Sequence, residues 1–135
     1  MNQKAQISLE FLIVLAVAIA AMCLILPSAS RAYSKSIKAI DLANAKLFAS
    51  ELKSSIKLME QLSEGSELEL RCNPLQDWNF SIRPGLITLS VNGSDINVDT
   101  AFKVISSNST LSLNKTSCFL LKRQKDAIFL KVQNC

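Results

Sequence analysis

The sequence contains no histidine and only three glycines among its 135 residues. Without histidine, Ser-His-Asp and Cys-His nucleophilic catalysis, histidine general bases and histidine metal ligands are all excluded. The glycines are too scattered for a phosphate-binding P-loop or a dinucleotide-binding loop. We therefore predict no enzymatic activity, no cofactor and no bound metal.

The net charge of the chain does not indicate a particular kind of binding partner. The 15 basic and 11 acidic residues give a formal net charge of +4. Nucleic-acid binding usually needs basic residues clustered on one surface, so no nucleic-acid partner is predicted. The length allows one ordinary domain, or one small domain with an appendage.

A long apolar segment lies near the start of the chain. This apolar segment, Phe11–Leu26, contains sixteen residues and no charged or strongly polar side chain. From Ile7 to Leu26 the apolar pattern extends over twenty residues. A helix of about 20 residues rises roughly 30 Å, which is the thickness of a bilayer core. We predict that the segment enters a membrane.

Four interpretations compete for this segment. It can be a cleaved secretory signal peptide, with Lys4 in its charged region and a small-residue cleavage site at residues 27–30. It can instead be a permanent signal anchor, or a buried core helix, which its length disfavours. The fourth interpretation, a helix retained for assembly, depends on the residues just before it.

Those residues form a recognisable motif, Gln6-Ile7-Ser8-Leu9-Glu10-Phe11. Gln-x-Ser-x-Glu-Phe followed by a long apolar helix resembles the class III signal peptide of archaeal type IV pilin-like proteins. The resemblance covers about residues 4–30. It implies that a prepilin peptidase cuts on the cytoplasmic side, between Ala5 and Gln6, and removes a short leader, residues 1–5.

The resemblance also implies how the mature protein assembles. The helix at residues 6–30 is retained, first in the membrane and then in the filament core. Glu10 becomes the fifth mature residue and pairs with the amino terminus of a neighbouring subunit, which sets the axial register. The implied processing residues are Ala5, Gln6, Ser8 and Glu10, and the implied assembly residues are Glu10, Phe11, Ala16, Ala20 and Pro27.

The implied partners are the prepilin peptidase, other pilin-like subunits and, before assembly, the membrane. The carboxyl-terminal part is expected to be extracytoplasmic and finally extracellular. The positive-inside tendency opposes this orientation, because Arg31, Lys35 and Lys38 follow the apolar segment. We give more weight to the features of an exported domain described below.

Residues 31–65 predict an amphipathic stalk helix. Residues 31–64 lack proline and glycine, and apolar residues recur mostly three to five positions apart, as on one helix face. Gly65 suits a helix C-cap. We predict one helix from about Ile7 to Glu64, bent at Pro27, and hence a lollipop-shaped α+β chain. The predicted apolar face consists of Ile37, Ile40, Ala43, Leu47, Leu52, Ile56, Met59 and Leu62.

Residues 66–135 predict an antiparallel β domain, the head of the lollipop. Apolar and polar residues alternate over short segments, and Asn92-Gly93 is a strong hairpin signal. So small a domain is near the lower size limit for an independent core, so we expect the stalk helix to cover it. Strands are predicted near residues 68–70, 78–82, 86–91, 96–98, 102–105, 110–113, 117–121 and 127–133.

Three cysteines of the head, Cys72, Cys118 and Cys135, allow one disulfide in three possible pairings. A hairpin with a four-residue polar turn before the last strand places Cys118 opposite Lys131. Cys135 then lies about 13 Å further along, at roughly 3.3 Å per residue. This register disfavours Cys118–Cys135. It favours Cys72–Cys135, with Cys72–Cys118 close behind, and three reduced thiols are the alternative.

The head also contains four Asn-x-Ser/Thr sequons, which favour an exported, glycosylated surface. Strand residues flank Asn79 on both sides, which makes it the least favourable of the four. The glycosylation candidates are Asn79, Asn92, Asn108 and Asn114.

Three functions follow from these patterns. The first is a pilin-like structural subunit. The second is a membrane-anchored or secreted extracytoplasmic β domain that binds a partner and does not polymerise. The third is an extracytoplasmic glycosidase using Asp95 and Asp99, which the small size of the domain disfavours. Isolation of filaments separates the first from the second.

Overall fold

The computed structural model describes the backbone of residues 3–134 and the side chains of residues 9–133. One long helix, α1 (Gln3–Gln61), is followed by eight strands. The α+β class predicted from the sequence is therefore confirmed. The strands are β1 (Glu67–Cys72), β2 (Trp78–Arg83), β3 (Leu86–Val91), β4 (Ser94–Asp99), β5 (Val104–Ser106), β6 (Thr110–Leu113), β7 (Ser117–Gln124) and β8 (Ala127–Asn134).

The chain divides into two compact units, Met1–Ile37 and Lys38–Cys135. The first unit is helical throughout its described residues. The second contains residues 38–61 of α1 together with all eight strands. The amphipathic part of the helix thus belongs to the same unit as the strands, because it contributes to their core.

The strands form two four-stranded sheets. The first sheet has the order β1-β7-β8-β5 and the second the order β4-β3-β2-β6. Every pairing is antiparallel except that of β5 with β8, which is parallel. The head is therefore antiparallel as predicted except at this pair, where β5 reaches β8 by a long connection that includes β6 and β7.

The β7–β8 hairpin is tighter than the sequence predicted. Gln124 pairs with Ala127, so the connection has two residues instead of four. The register therefore moves by two positions, and Cys118 lies opposite Gln133 instead of Lys131. The predicted distance that separated Cys118 from Cys135 no longer applies.

A cluster of aromatic side chains lies in the core of the second unit, and Phe48 of α1 is at its centre. The Phe48 ring lies 5.2 Å from Phe119, 5.9 Å from Phe80 and 6.1 Å from Trp78, measured between ring centroids. Phe119 belongs to the first sheet and the other two partners to the second. One helical side chain therefore contacts both sheets, and aromatic pairs at these distances add stability beyond their buried area.

The helix face that packs on the sheets differs from the predicted face. Leu52, Ile56 and Met59 are buried as predicted, but Ile40, Leu47 and Leu62 are 54%, 71% and 39% exposed. The prediction combined residues from two neighbouring faces of the helix, because a spacing of three to five residues does not distinguish one of these faces from the other. The buried residues of α1 are Asp41, Ala45, Phe48, Ala49, Leu52, Ser55, Ile56 and Met59.

The end of α1 also differs from the prediction. The helix ends at Gln61 instead of Glu64, and Gly65 lies in the loop that follows. Gly65 has a φ of +87°, a conformation that glycine adopts without steric cost. Its N–H donates a hydrogen bond to the carbonyl oxygen of Arg123 at 3.1 Å. Gly65 therefore ties the helix-to-sheet loop to β7 and does not cap the helix.

Candidate functional site

The most unusual surface of the described chain is the apolar segment of α1. Every large apolar side chain from Leu9 to Leu26 is between 44% and 79% exposed. An 18-residue window of α1 reaches a mean hydropathy of 2.9, and none of it is buried. A helix that is apolar on all sides needs lipid or other helices around it. In the described residues, α1 is the one helix long and apolar enough to cross a membrane.

The energetics of membrane insertion are favourable. The apolar segment contains ten Leu, Ile, Val and Phe residues. At about −0.3 to −0.6 kcal/mol each near a bilayer centre, these residues contribute roughly −3 to −6 kcal/mol. Apart from the carbonyl of Cys23, the helical N–H and C=O groups inside the segment bond within the helix, so the backbone adds no large desolvation cost.

Pro27 lies inside α1, which continues through it. Proline has no N–H, so the carbonyl of Cys23, four residues earlier, loses its usual helical donor. The neighbouring Ser28 hydroxyl donates to the carbonyl oxygen of Ile25 at 2.7 Å. This side-chain bond lies at the end of the apolar segment, where the sequence turns polar.

The predicted assembly residues are accessible. Glu10, Phe11, Ala16 and Ala20 are all exposed. Ala16 and Ala20 are four positions apart, which places them on the same side of the helix. Ala5, Gln6 and Ser8 lie in the first turns of α1, but their side chains are outside the described part. The structure therefore leaves the predicted processing roles as predictions.

Glu10 is the one charged side chain at the start of this surface. It forms no ion pair with any residue described in the structure. A carboxylate buried among apolar helices is costly unless a cation pairs with it. Burial of Glu10 among apolar helices would therefore require a positively charged partner.

Sequence analysis missed Asp41, which is completely buried. Its Oδ1 accepts hydrogen bonds from the Leu75 N–H and from Trp78 Nε1, both at 3.0 Å. Asn92 Nδ2 donates to its Oδ2 at 3.4 Å. Asp41 thus joins α1 to the β1–β2 loop and to the β3–β4 turn. The available signal was an acid between apolar Ile40 and Leu42 in a predicted amphipathic helix.

The cysteines differ from the predicted pairing. Cys72 has a free thiol and is buried in the core, so the favoured Cys72 disulfides are not formed. Burial raises the pKa of the Cys72 thiol above its ordinary value. Cys118 does not have a free thiol. Cys135 lies outside the described residues. Cys23, in the apolar segment, is free and exposed.

The four sequons are not equivalent. The asparagines of all four are exposed. Asn92 differs from the others because its amide contacts Asp41 and its φ of 52° places it in the left-handed region of the β3–β4 turn. This turn confirms the Asn-Gly hairpin predicted from the sequence. Asn79 lies within β2, as its flanking residues predicted.

The acidic residues of β4 form no evident catalytic pair. Asp95 and Asp99 lie on the exposed side of the strand, and the Asp95 carboxylate accepts a hydrogen bond from the Ser90 hydroxyl. In the part of the chain that the structure describes, no group of three or more Cys, Asp or Glu side chains is arranged to bind a metal ion.

Comparisons with protein-family models, with curated proteins and with solved structures found no match to this chain.

Proposed function

We propose that this chain is a structural subunit of an archaeal type IV pilus-like surface filament, cleaved before Gln6 and assembled through its amino-terminal helix. The observation that supports the proposal most is the position of the motif at residues 6–11. The motif lies at the start of a helix whose apolar side chains are exposed from Leu9 to Leu26. An exposed apolar helix of this length needs an apolar environment on every side.

Lipid and a helical bundle provide that environment in turn. Before assembly the segment spans the membrane, where its ten large aliphatic and aromatic residues favour insertion. After assembly, helices of neighbouring subunits replace the lipid. Small residues allow helix backbones to approach closely, and Ala16 and Ala20 have the four-residue spacing that such contacts use.

Glu10 gives the assembly its register in this proposal. Because its carboxylate has no partner among the described residues, a bundle of apolar helices must bring a cation to it. Cleavage before Gln6 creates a new amino terminus four residues from Glu10. The amine of one subunit then pairs with Glu10 of the next, and a shift along the axis would separate the two charges.

The β-rich unit is suited to an external position. It has its own core, which the buried face of α1 completes, so it is able to fold before the subunit leaves the membrane. Assembly then presents this unit on the outside of the filament, and the apolar segments occupy the inside. The proposal needs no catalytic residue in the chain.

The test compares Glu10→Ala with Glu51→Ala, which replaces another exposed glutamate of α1. Each full-length variant is expressed in the native host, and its amounts in membranes and in sheared surface filaments are measured. We expect Glu10→Ala to reach the membrane at the normal level but to be depleted from filaments. Glu51→Ala should behave as the unaltered chain.

Two results would contradict the proposal at different points. Normal incorporation of Glu10→Ala would remove Glu10 from the mechanism and leave the filament itself intact. Absence of the unaltered chain from every sheared fraction would refute the filament and favour the membrane-anchored binding domain.

A further inference from the structure

Two rows on the outer face of the second sheet consist mostly of short polar side chains, and the next row on the same face contains exposed Arg83 and Asp99. The strand registers align the two polar rows across all four strands. Thr88 donates to Asn97 and Ser90 to Asp95 within the rows, and Asp95 is the only formally charged member. The first row is Asp95, Ser90, Asn79 and Ser112, and the second row is Asn97, Thr88, Ser81 and Thr110. We call these eight residues the polar array.

The outer face of the first sheet in the same unit is different. It has long charged side chains, including the Glu67–Lys122 ion pair, and apolar side chains such as Phe129. Exposed sheet faces usually contain long charged residues, which keep them soluble and prevent association. The polar array lacks them across four strands. Charged side chains occur on this face in the next row, where Arg83 and Asp99 are exposed.

Asn79 lies inside the polar array and belongs to a sequon. Ser90 and Ser112 lie directly opposite it on the two neighbouring strands, and both are small. The sequon hydroxyl, Ser81, is two residues along β2 and therefore lies on the same face. The Asn79 amide makes no side-chain hydrogen bond to any described residue. A shallow depression of about 350 Å³ adjoins it, lined by Asn79, Phe80, Ser81, Ser90, Thr110, Leu111 and Ser112.

We propose that Asn79 is the acceptor of an N-linked saccharide that covers the polar array. The donor is a glycosyl phosphate, such as a lipid-linked saccharide, used by a separate glycosyltransferase. Asn79 Nδ2 forms a bond to the anomeric carbon of the sugar and releases one proton. The bond from that carbon to the phosphate oxygen breaks, and the phosphate leaves with the electron pair. No oxidation or reduction takes place.

Covalent attachment fits this surface better than capture of a free saccharide. The polar array has no aromatic side chain, and aromatic rings supply much of the contact area of binding sites. Hydroxyl and amide groups donate and accept hydrogen bonds, and their small side chains lose little entropy. A tethered saccharide needs little intrinsic affinity, because the attachment itself provides a high effective concentration.

Two of the other sequons, at Asn92 and Asn114, can be compared with the sequon at Asn79. The Asn92 amide donates to buried Asp41, and its backbone is held in the β3–β4 turn. Modification there would disturb the bond to Asp41. At Asn114, the sequon hydroxyl of Thr116 already donates to Asn73 at 2.8 Å. Asn79 has neither restriction.

The experiment is glycopeptide mass spectrometry of the full chain from native membranes, together with three variants. We expect a saccharide mass on the peptide that contains Asn79 and none on the peptide that contains Asn92. Ser81→Ala, which breaks the sequon but leaves Asn79, should abolish the modification. Ser112→Ala, on the same face and opposite Asn79, should retain it, and Asn92→Gln should not change it.

An unmodified Asn79 peptide, or a saccharide that persists in Ser81→Ala, would overturn the proposal. Equal thermal midpoints for Ser81→Ala and Ser112→Ala would exclude misfolding as the cause of a lost modification. The inference depends on export of the β-rich unit and not on filament formation. Failure of assembly in the Glu10 test would therefore leave it standing.

Discussion

Replacement of Phe48 by alanine tests whether α1 is part of the core of the β-rich unit. Phe48 is 5% exposed and contacts Trp78, Phe80 and Phe119 with ring centroids 5.2 to 6.1 Å apart. Truncation of a buried phenylalanine to alanine typically costs about 3–5 kcal/mol. A unit of roughly 100 residues has a total stability of about 5–15 kcal/mol, so the variant should lose a large fraction of it.

The matched control is Leu47→Ala, one position earlier on the same helix. Leu47 is 71% exposed, so its truncation should change the free energy of unfolding by no more than about 0.5 kcal/mol. Helix propensity favours alanine in both variants, so it cannot explain a difference between them. The comparison therefore isolates the packing of Phe48 against the two sheets.

Trp78, the one tryptophan of the chain, is a natural probe because it lies against Phe48. Urea and thermal unfolding of the full chain in detergent are followed by its fluorescence. At about 4–8 °C per kcal/mol for a domain of this size, Phe48→Ala should lower the midpoint by roughly 12 °C or more. Equal midpoints for the two variants would refute the packing of Phe48 against the two sheets.

Three further predictions follow from the buried groups. Asp41→Ala should lower the free energy of unfolding by about 1–3 kcal/mol for each buried donor that it leaves unpaired. Urea unfolding measures the loss, and Asp77→Ala, which replaces an exposed aspartate, should be neutral. Because burial raises the pKa of the Cys72 thiol, the thiol stays protonated in the folded protein, and the free energy of unfolding should fall as pH rises above the pKa of the unfolded thiol. Alkylation of Cys72 at pH 8 should therefore need denaturant, and rapid alkylation of the native protein would contradict this. Non-reducing peptide mapping should find no disulfide at Cys72, because its thiol is free and buried in the core; a bond to Cys72 would contradict this.

The strands of the head were predictable because their signals are local. Alternation of apolar and polar residues located β1 to β4 closely, and Asn92-Gly93 located the β3–β4 turn. Both central residues of that turn have positive φ, 52° and 78°, as this sequence favours. The α+β class followed from the change between helical and strand periodicity near residue 65.

The errors concern contacts between elements that are distant in sequence. The apolar spacing in α1 did not distinguish buried Phe48 from exposed Leu47, because only the sheets decide which side of the helix they cover. Asp41 was missed because its donors lie 34 to 51 residues away. The β7–β8 register depended on the length of one turn, and two residues there changed the predicted neighbour of Cys118.

The apolar segment was predictable because its signal is local and does not depend on tertiary contacts. The structure adds that the described chain leaves it uncovered. The proposed roles of Ala5, Gln6, Ser8 and Glu10 involve a peptidase and other subunits that the structure does not contain. They remain predictions until those partners are present.

The most direct test of the central proposal is to identify the amino-terminal residue of the protein recovered from native membranes and surface fractions. Mass spectrometry should allow for cyclisation of an amino-terminal glutamine, which removes the charge of the amine that Glu10 is proposed to bind. We predict a mature chain that begins at Gln6. A chain that begins at Arg31, as after ordinary signal-peptide cleavage, or one that retains Met1, would contradict it.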